Sequence, residues 1–384
     1  MLPSDPEIIS TEFWITARQQ TVGFTVVPAM NASELGSLFE NFDPSLPMIF
    51  IIHGFADAPN ATWVDTLTTR LLYRVDATVV VVNWFLGADS SNYFVAARNT
   101  ELIGRQLGNL AEAAMLLGVS PKNMHFIGHS LGSHIANFVV YWLRQVSIVV
   151  ENFTPKRITA LDPAGPYFCD TEYQVDTFLE ATDAEFVDVY HTNQGKFIYG
   201  HVGCEKSVGH VDFYPNGGYS QPGCENPIFG FIEDMFSDGE ESHASCSHFR
   251  SVHIFSESLV REDEYFRGFP CPNLVEFQHD FVSGDCFSCE PSGKCGKMGL
   301  DAEEWGRGDF YLLTYGDTPA DGFMQTLGGR MMRISVLSSP QDSYTWGQFV
   351  VEINDRQLGP LGPFELNKSR SSPVESFSKV FTGV

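Results

Sequence analysis

Residues Gly128-His129-Ser130-Leu131-Gly132 read G-x-S-x-G, the pattern of a serine nucleophile on a sharp turn between a strand and a helix. In a chain with 34 glycines the pattern alone is weak, so its neighbours carry the weight. A short apolar run at 124–127 precedes it, and a helical pattern at 133–146 follows. Glycines on both sides let the backbone turn tightly and hold the Ser130 hydroxyl out at the top of a sheet. Leu131 then opens the helix with its N–H aimed at a developing oxyanion.

A serine hydroxyl is a weak nucleophile and needs a positioned base, itself oriented by a carboxylate. After a G-x-S-x-G serine the chain order is Asp or Glu, then His. Asp162 ends the apolar run 158–161 and precedes Pro163, which breaks the strand. Asp183 and Asp188 are rivals, one in a loop and the other inside the next strand. His191, His201, His210, His243, His248, His253 and His279 all lie downstream, and residue physics alone does not choose among them.

These side chains need a rigid frame. Runs at 47–52 and 78–82 are apolar almost throughout, as in strands buried on both faces of a parallel sheet. Residues 124–127, 158–161 and 186–190 are further strand candidates. Residues 95–117 carry Leu102, Ile103, Leu107, Leu110, Ala114 and Leu117 on one 3.6-period stripe, and 133–146 is apolar nearly all round. This strand–helix alternation predicts an α/β fold with right-handed crossovers. After about residue 318 the pattern changes to alternating strands at 331–337 and 348–353, then a Ser/Pro-rich stretch at 369–373. An incomplete β-sandwich is expected over 319–384, after a complete domain over 1–318.

The chain has 384 residues, and its net charge of −25 argues against nucleic acid and anionic membrane faces while leaving neutral lipid surfaces open. Its 32 Phe imply a large core or apolar surface kept for a purpose. Eight Cys, four crowded between Cys271 and Cys295, read as a stapled region of a secreted protein. Zinc at Cys286-x-x-Cys289 is the rival, but no second CxxC pair accompanies it. Asn31, Asn60 and Asn367 head glycosylation sequons compatible with secretion. The start, MLPSDPEIIS, has no signal-peptide pattern, so the chain is read as lacking its signal or as a fragment. No apolar run approaches the roughly 20 residues of a membrane span.

Gly128–Gly132, Leu161-Asp-Pro-Ala-Gly165, residues 209–218 (GHVDFYPNGG) and Cys246-Ser-His-Phe-Arg-Ser251, with Ile51-Ile-His-Gly-Phe55 upstream, resemble the pancreatic lipase family. The match covers about residues 10–318 and implies an α/β-hydrolase fold with a mostly parallel central sheet. It implies that His248 is the base, that Asp162 is the acid, and that the Phe55 N–H joins that of Leu131 in the oxyanion hole. Asp162 follows Ser130 by 32 positions, longer than is usual in the family, with the excess at 142–154.

The 21 residues between Cys224 and Cys246 include Ile228, Phe229, Phe231, Ile232, Met235 and Phe236. Read alone they make an amphipathic surface helix; the resemblance implies a disulfide-anchored lid of nearly full length, which favours triacylglycerol over phospholipid. It also implies bridges Cys271–Cys286 and Cys289–Cys295, with Cys169 and Cys204 left over and their pairing open. Glu180 and Asp183 match two carboxylates of the family's calcium loop, but Phe178 stands where the family has a cationic residue. No metal or cofactor is expected. The implied partner is a lipid emulsion, micelle or lipoprotein surface, without a colipase-type protein. Phospholipase A1 action, or a non-catalytic yolk-type lipid-binding relative, are the alternatives.

Overall fold

The structure, a computed structural model, describes residues 2–18, 23–29, 43–89, 92–169, 178–224, 243–260, 266–271, 289, 293–314 and 316. It also describes the backbone of strands at 331–337, 344–353, 356–367 and 376–382. The proposed lid at 225–242 and the division near residue 318 lie outside the described residues.

Nine strands form one mixed sheet in the order β2-β1-β4-β3-β5-β6-β7-β8-β11. They are β1 (Glu12–Ala17), β2 (Thr25–Pro28), β3 (Met48–Ile52), β4 (Thr78–Asn83), β5 (Met124–His129), β6 (Arg157–Leu161), β7 (Phe186–Tyr190), β8 (Val211–Pro215) and β11 (Gly308–Leu312). β1 runs antiparallel to both its neighbours, and all pairings from β4 to β11 are parallel. Between β8 and β11 in sequence, β9 (Arg267–Gly268) and β10 (Gly296–Lys297) make a small separate pair.

The central strands are apolar at successive positions because both faces are covered. Phe50 and Ile52 of β3, Val80 and Val82 of β4 and Phe126 of β5 pack with α4 (Tyr93–Leu116) and α5 (Leu131–Val146). Ile49, Ile51, Val79, Val81 and Ile127 point the other way, into a second core with α2 (Thr62–Arg74) and α6 (His243–Ser258). Each such fully buried side chain contributes roughly 1.5–3 kcal/mol. Phe50 and Phe126 stack with centroids 4.4 Å apart on the α4/α5 side.

The strands predicted at 47–52, 78–82, 124–127, 158–161 and 186–190 are present, with ends shifted by at most two residues. β5 runs on to His129 and β6 begins at Arg157, because these polar residues still pair in the ladder. Helix α4 starts two residues before the apolar stripe, where the Asn92 side chain accepts the Phe94 N–H as an N-cap. The fold is the α/β-hydrolase arrangement.

Parallel register aligns the strand ends. Ile52 stands opposite Gly128, His129 opposite Leu161, and Leu161 opposite Tyr190. The next residues, Gly54, Ser130, Asp162 and His191, therefore emerge along one edge, at the carboxyl ends of β3, β5, β6 and β7.

In the tail, β12 (Met331–Leu337) pairs with β15 (Ser376–Thr382), and β13 (Tyr344–Ile353) pairs with β14 (Arg356–Asn367), both antiparallel. The strand expected at 348–353 is the second half of β13. β14 carries Gly359-Pro360 and Gly362-Pro363, a composition that argues against a strand when read alone.

Candidate active site

β5 is buried along its whole length, and the chain leaves it through Ser130 at φ 54°, ψ −120° before entering α5. That conformation is strained for a side-chain-bearing residue and needs support from its surroundings. The Ser130 N–H donates to Leu161 O (3.0 Å), and the Ser130 carbonyl accepts from Ser133 N (3.1 Å) and Ala164 N (3.3 Å). The Ser133 hydroxyl donates back to Gly128 O at 2.8 Å.

The glycines are required by close approach. A Cβ on Gly128 would overlap the Gly132–Ser133 backbone, and one on Gly132 would overlap the Ile52 carbonyl. A Cβ on Gly54 would stand 2.7 Å from Ser130 Cβ. The His53-Gly54-Phe55 segment thus lies directly against the serine. It is held there by Trp84, whose indole donates to His53 O at 2.9 Å and stacks on the His53 ring. The Phe55 ring packs edge-on against Tyr93. Among the described residues, neither Phe55 N nor Leu131 N has a backbone acceptor.

Asp162 follows β6 with φ 45° and is fully buried. Its N–H donates to Tyr190 O (2.8 Å). Oδ1 accepts the backbone N–H groups of Thr192 (2.7 Å) and Asn193 (3.1 Å), and Oδ2 accepts from His248 Nδ1 at 2.5 Å. Gly203 closes the other side: a Cβ there would come 2.7 Å from Oδ1 and 2.8 Å from Oδ2. His248 sits on α6, buried, with its ring centroid 4.6 Å from that of His129, the residue before Ser130. Asp162 and His248 are thus joined directly, and His248 lies against the residue that precedes Ser130.

The rivals are engaged elsewhere. Asp188 is chelated by Arg157 through Nε (2.8 Å) and Nη2 (2.7 Å), inside the sheet. Asp183 accepts from Asn137 Nδ2 (3.0 Å), Glu180 N (2.9 Å) and Arg144 Nη1 (3.4 Å). His191 faces Asp212 at 2.8 Å, the ring of His210 accepts Val187 N at 3.0 Å, and His253 is exposed. His201 is partly buried beside Asn193 and Tyr219. The side chain of His243 and all of His279 lie outside the described residues.

Burial keeps several neighbouring imidazoles neutral. It lowers His53 and His134 to about 4 and pushes His129 well below the usual histidine range, with nearby His248 adding to the effect at His129. His129 Nδ1 lies 4.0 Å from Asp57, whose carboxylate accepts from Trp63 Nε1 and Ala58 N.

Sequence reasoning missed Thr192, Asn193, Gly203 and Trp84. The first two act through backbone N–H groups, which any residue carries, so no side-chain signal marks them. Among the described residues no group of three or more His, Cys, Asp or Glu could hold a metal. Of the two carboxylates matched to the family's calcium loop, Asp183 is engaged by the Asn137 amide, the Glu180 N–H and the Arg144 guanidinium.

Disulfides join Cys169 to Cys204, Cys224 to Cys246 and Cys289 to Cys295. Cys289 is thereby withdrawn from any zinc site. Cys271 is also disulfide-bonded, and Cys286 lies outside the described residues. No helix among the described residues is long and apolar enough to cross a membrane.

Residues 1–319 match the family model described as Lipase. The chain is 35% identical over 327 residues to pancreatic lipase-related protein 2 of Myocastor coypus, covering 83% of this chain and 65% of the relative. It is 35% identical over 309 residues to pancreatic triacylglycerol lipase of Homo sapiens, covering 79% of this chain and 62% of the relative. The chain thus spans under two thirds of the length of these relatives. A solved sugar hydrolase from Lactococcus lactis matches at 17% identity and TM-score 0.31, over 56% of this chain and 88% of that one; the sheet order above, not this match, defines the fold. On the family model and these identities, the chain belongs to the Lipase family.

Proposed function

We propose that the protein is a secreted lipase that hydrolyses triacylglycerol esters at a lipid–water interface. The observation that carries this reading is the His248–Asp162 hydrogen bond, buried beside the turn that bears Ser130. With the Nδ1 proton directed at Asp162, His248 Nε2 is left as the base. Ser130 Oγ attacks the ester carbonyl carbon and its proton passes to Nε2. The tetrahedral oxyanion is met by the N–H groups of Phe55 and Leu131. Collapse breaks the C–O bond, and the proton on Nε2 leaves with the alcohol. Water, deprotonated by the same nitrogen, then attacks the acyl-serine and releases the fatty acid.

The triacylglycerol substrate is supported by the resemblance to a pancreatic triacylglycerol lipase and by the length of the segment bridged by Cys224–Cys246. We read that segment as an interfacial lid, residues 1–318 as the hydrolase domain and 319–384 as part of a β-sandwich. Secretion is supported by the disulfides.

Ser130→Ala tests the reading. It should remove at least about 10⁴-fold of kcat on emulsified triolein while the protein stays folded. Full retention of activity would overturn the assignment. Comparing triolein with phosphatidylcholine, with and without an interface, tests the substrate class.

A further inference from the structure

Beside the Asp162 pocket lies a second buried imidazole–carboxylate pair that the proposed mechanism does not use. His191 is fully buried just after β7, and its ring stacks flat on Tyr214 of β8, with centroids 4.5 Å apart. Its Nε2 is 2.8 Å from Asp212 Oδ1, and its Nδ1 is 3.1 Å from the Cys204 carbonyl. Asp212 also accepts the N–H groups of Val208 and Gly209. The ring of His191 thus bridges Asp212 and the Cys204 carbonyl through its two nitrogens. The other titratable groups on this side are Tyr214 and, from β11, Asp309, whose carboxyl is pushed up chiefly by burial.

What this bridge joins is the Asp162 pocket. On one side, the residues after His191 in the chain, Thr192 and Asn193, supply the two N–H groups on Asp162 Oδ1. On the other, the carbonyl that His191 holds belongs to Cys204, next to Gly203, the residue that packs on both carboxylate oxygens. The two walls meet directly as well, through Gly203 N on Asn193 O at 3.0 Å. The disulfide from Cys204 to Cys169 ties the second wall to the chain that continues from Asp162.

We propose that His191, held between Asp212 and the Cys204 carbonyl, is a positioning residue that sets the Asp162 pocket and through it the orientation of His248. It touches no substrate; it fixes the two peptide planes and the glycine wall that define where the carboxylate points. This rests on the role proposed above for Asp162.

The test is a mutant cycle on p-nitrophenyl butyrate with the wild type, Asp162→Asn, His191→Gln and the double variant. Asp162→Asn should lower kcat about 10⁴-fold. His191→Gln should lower kcat roughly 10- to 100-fold with KM unchanged, and should cost under about two-fold more in the Asp162→Asn background, as groups acting as one unit do. Asp212→Asn, which changes the group facing His191 Nε2 and leaves His191 in place, should reproduce the His191→Gln loss. Thermal melts establish that each variant is folded.

The proposal is overturned if His191→Gln costs the same factor in both backgrounds, or leaves kcat within about two-fold of wild type. It is also overturned if neither His191→Gln nor Asp212→Asn shows a cooperative melt, which assigns the pair to the fold alone. Should Asp162→Asn retain full activity, the role of Asp162 fails and the inference falls with it. If only the coupling is missing, the role of Asp162 stands.

Discussion

Two buried carboxylates on neighbouring strands show how position separates structure from chemistry. Asp188 lies in the middle of β7 and Asp162 one residue past the end of β6. Asp188 faces a guanidinium that chelates it with two bonds, plus the Thr159 hydroxyl at 2.8 Å. The same Arg157 reaches on to the Gly299 and Leu300 carbonyls, so the pair closes a charge-balanced joint inside the core. Among the described residues Asp162 meets no fixed cation within its pocket; it has two peptide N–H groups and one imidazole. A carboxylate already neutralised by a permanent cation has nothing left to offer a base. One balanced by dipoles can respond when its histidine becomes charged.

The sharpest way to break this contrast is to neutralise each carboxylate without changing its shape. Asp162→Asn should cut kcat about 10⁴-fold while leaving the folded state largely intact, read by p-nitrophenyl butyrate turnover beside a thermal melt. Asp188→Asn should do the reverse. It strands a buried guanidinium and should cost about 3–5 kcal/mol in urea unfolding, with kcat per folded molecule near wild type. If the two variants showed the same balance of activity and stability loss, the distinction drawn between the two sites would collapse.

A smaller effect sharpens the same contrast through pH. His53 follows β3 and His134 lies in the first turn of α5, both on the strand-end side, and burial lowers both to about 4 from an ordinary 6.5. Between those values the unfolded chain binds protons that the folded chain refuses. Stability is therefore fully present above pH 6.5 and is lost as pH falls toward 4, by roughly 3 kcal/mol per histidine. Urea titrations at pH 7 and pH 5 should show this decline. A flat profile would remove these imidazoles from the account.

Much of this was legible in the residues. β3 and β4 could be read because burial on both faces leaves no polar position, and the strand–glycine–serine–glycine–helix run could be read because it is local. β1 and β2 at the antiparallel edge were not recognised; their partly exposed positions blur the signal. β8 escaped as a strand because Asp212 and Pro215 interrupt its apolar run. The choice of Asp162 over Asp188 depends on Arg157 standing opposite Asp188 across a strand pair, and the choice of His248 depends on where α6 lands. Such facts belong to tertiary packing, so for the histidine only family resemblance could supply the answer in advance. The pairing of Cys169 and Cys204, open in the sequence, is settled by the bridge between them.

Ser130 and Asp162 share backbone angles that a free peptide rarely adopts, φ 54° and 45°. Each costs on the order of 1–3 kcal/mol and persists only while β3, β5, β6 and β7 are all in register around it. A nascent or half-unfolded chain would relax both turns and scatter the serine, the acid and their amide partners. The hydroxyl would then be no more reactive than any other serine. An unfolded chain thus lacks the geometry that the proposed mechanism requires.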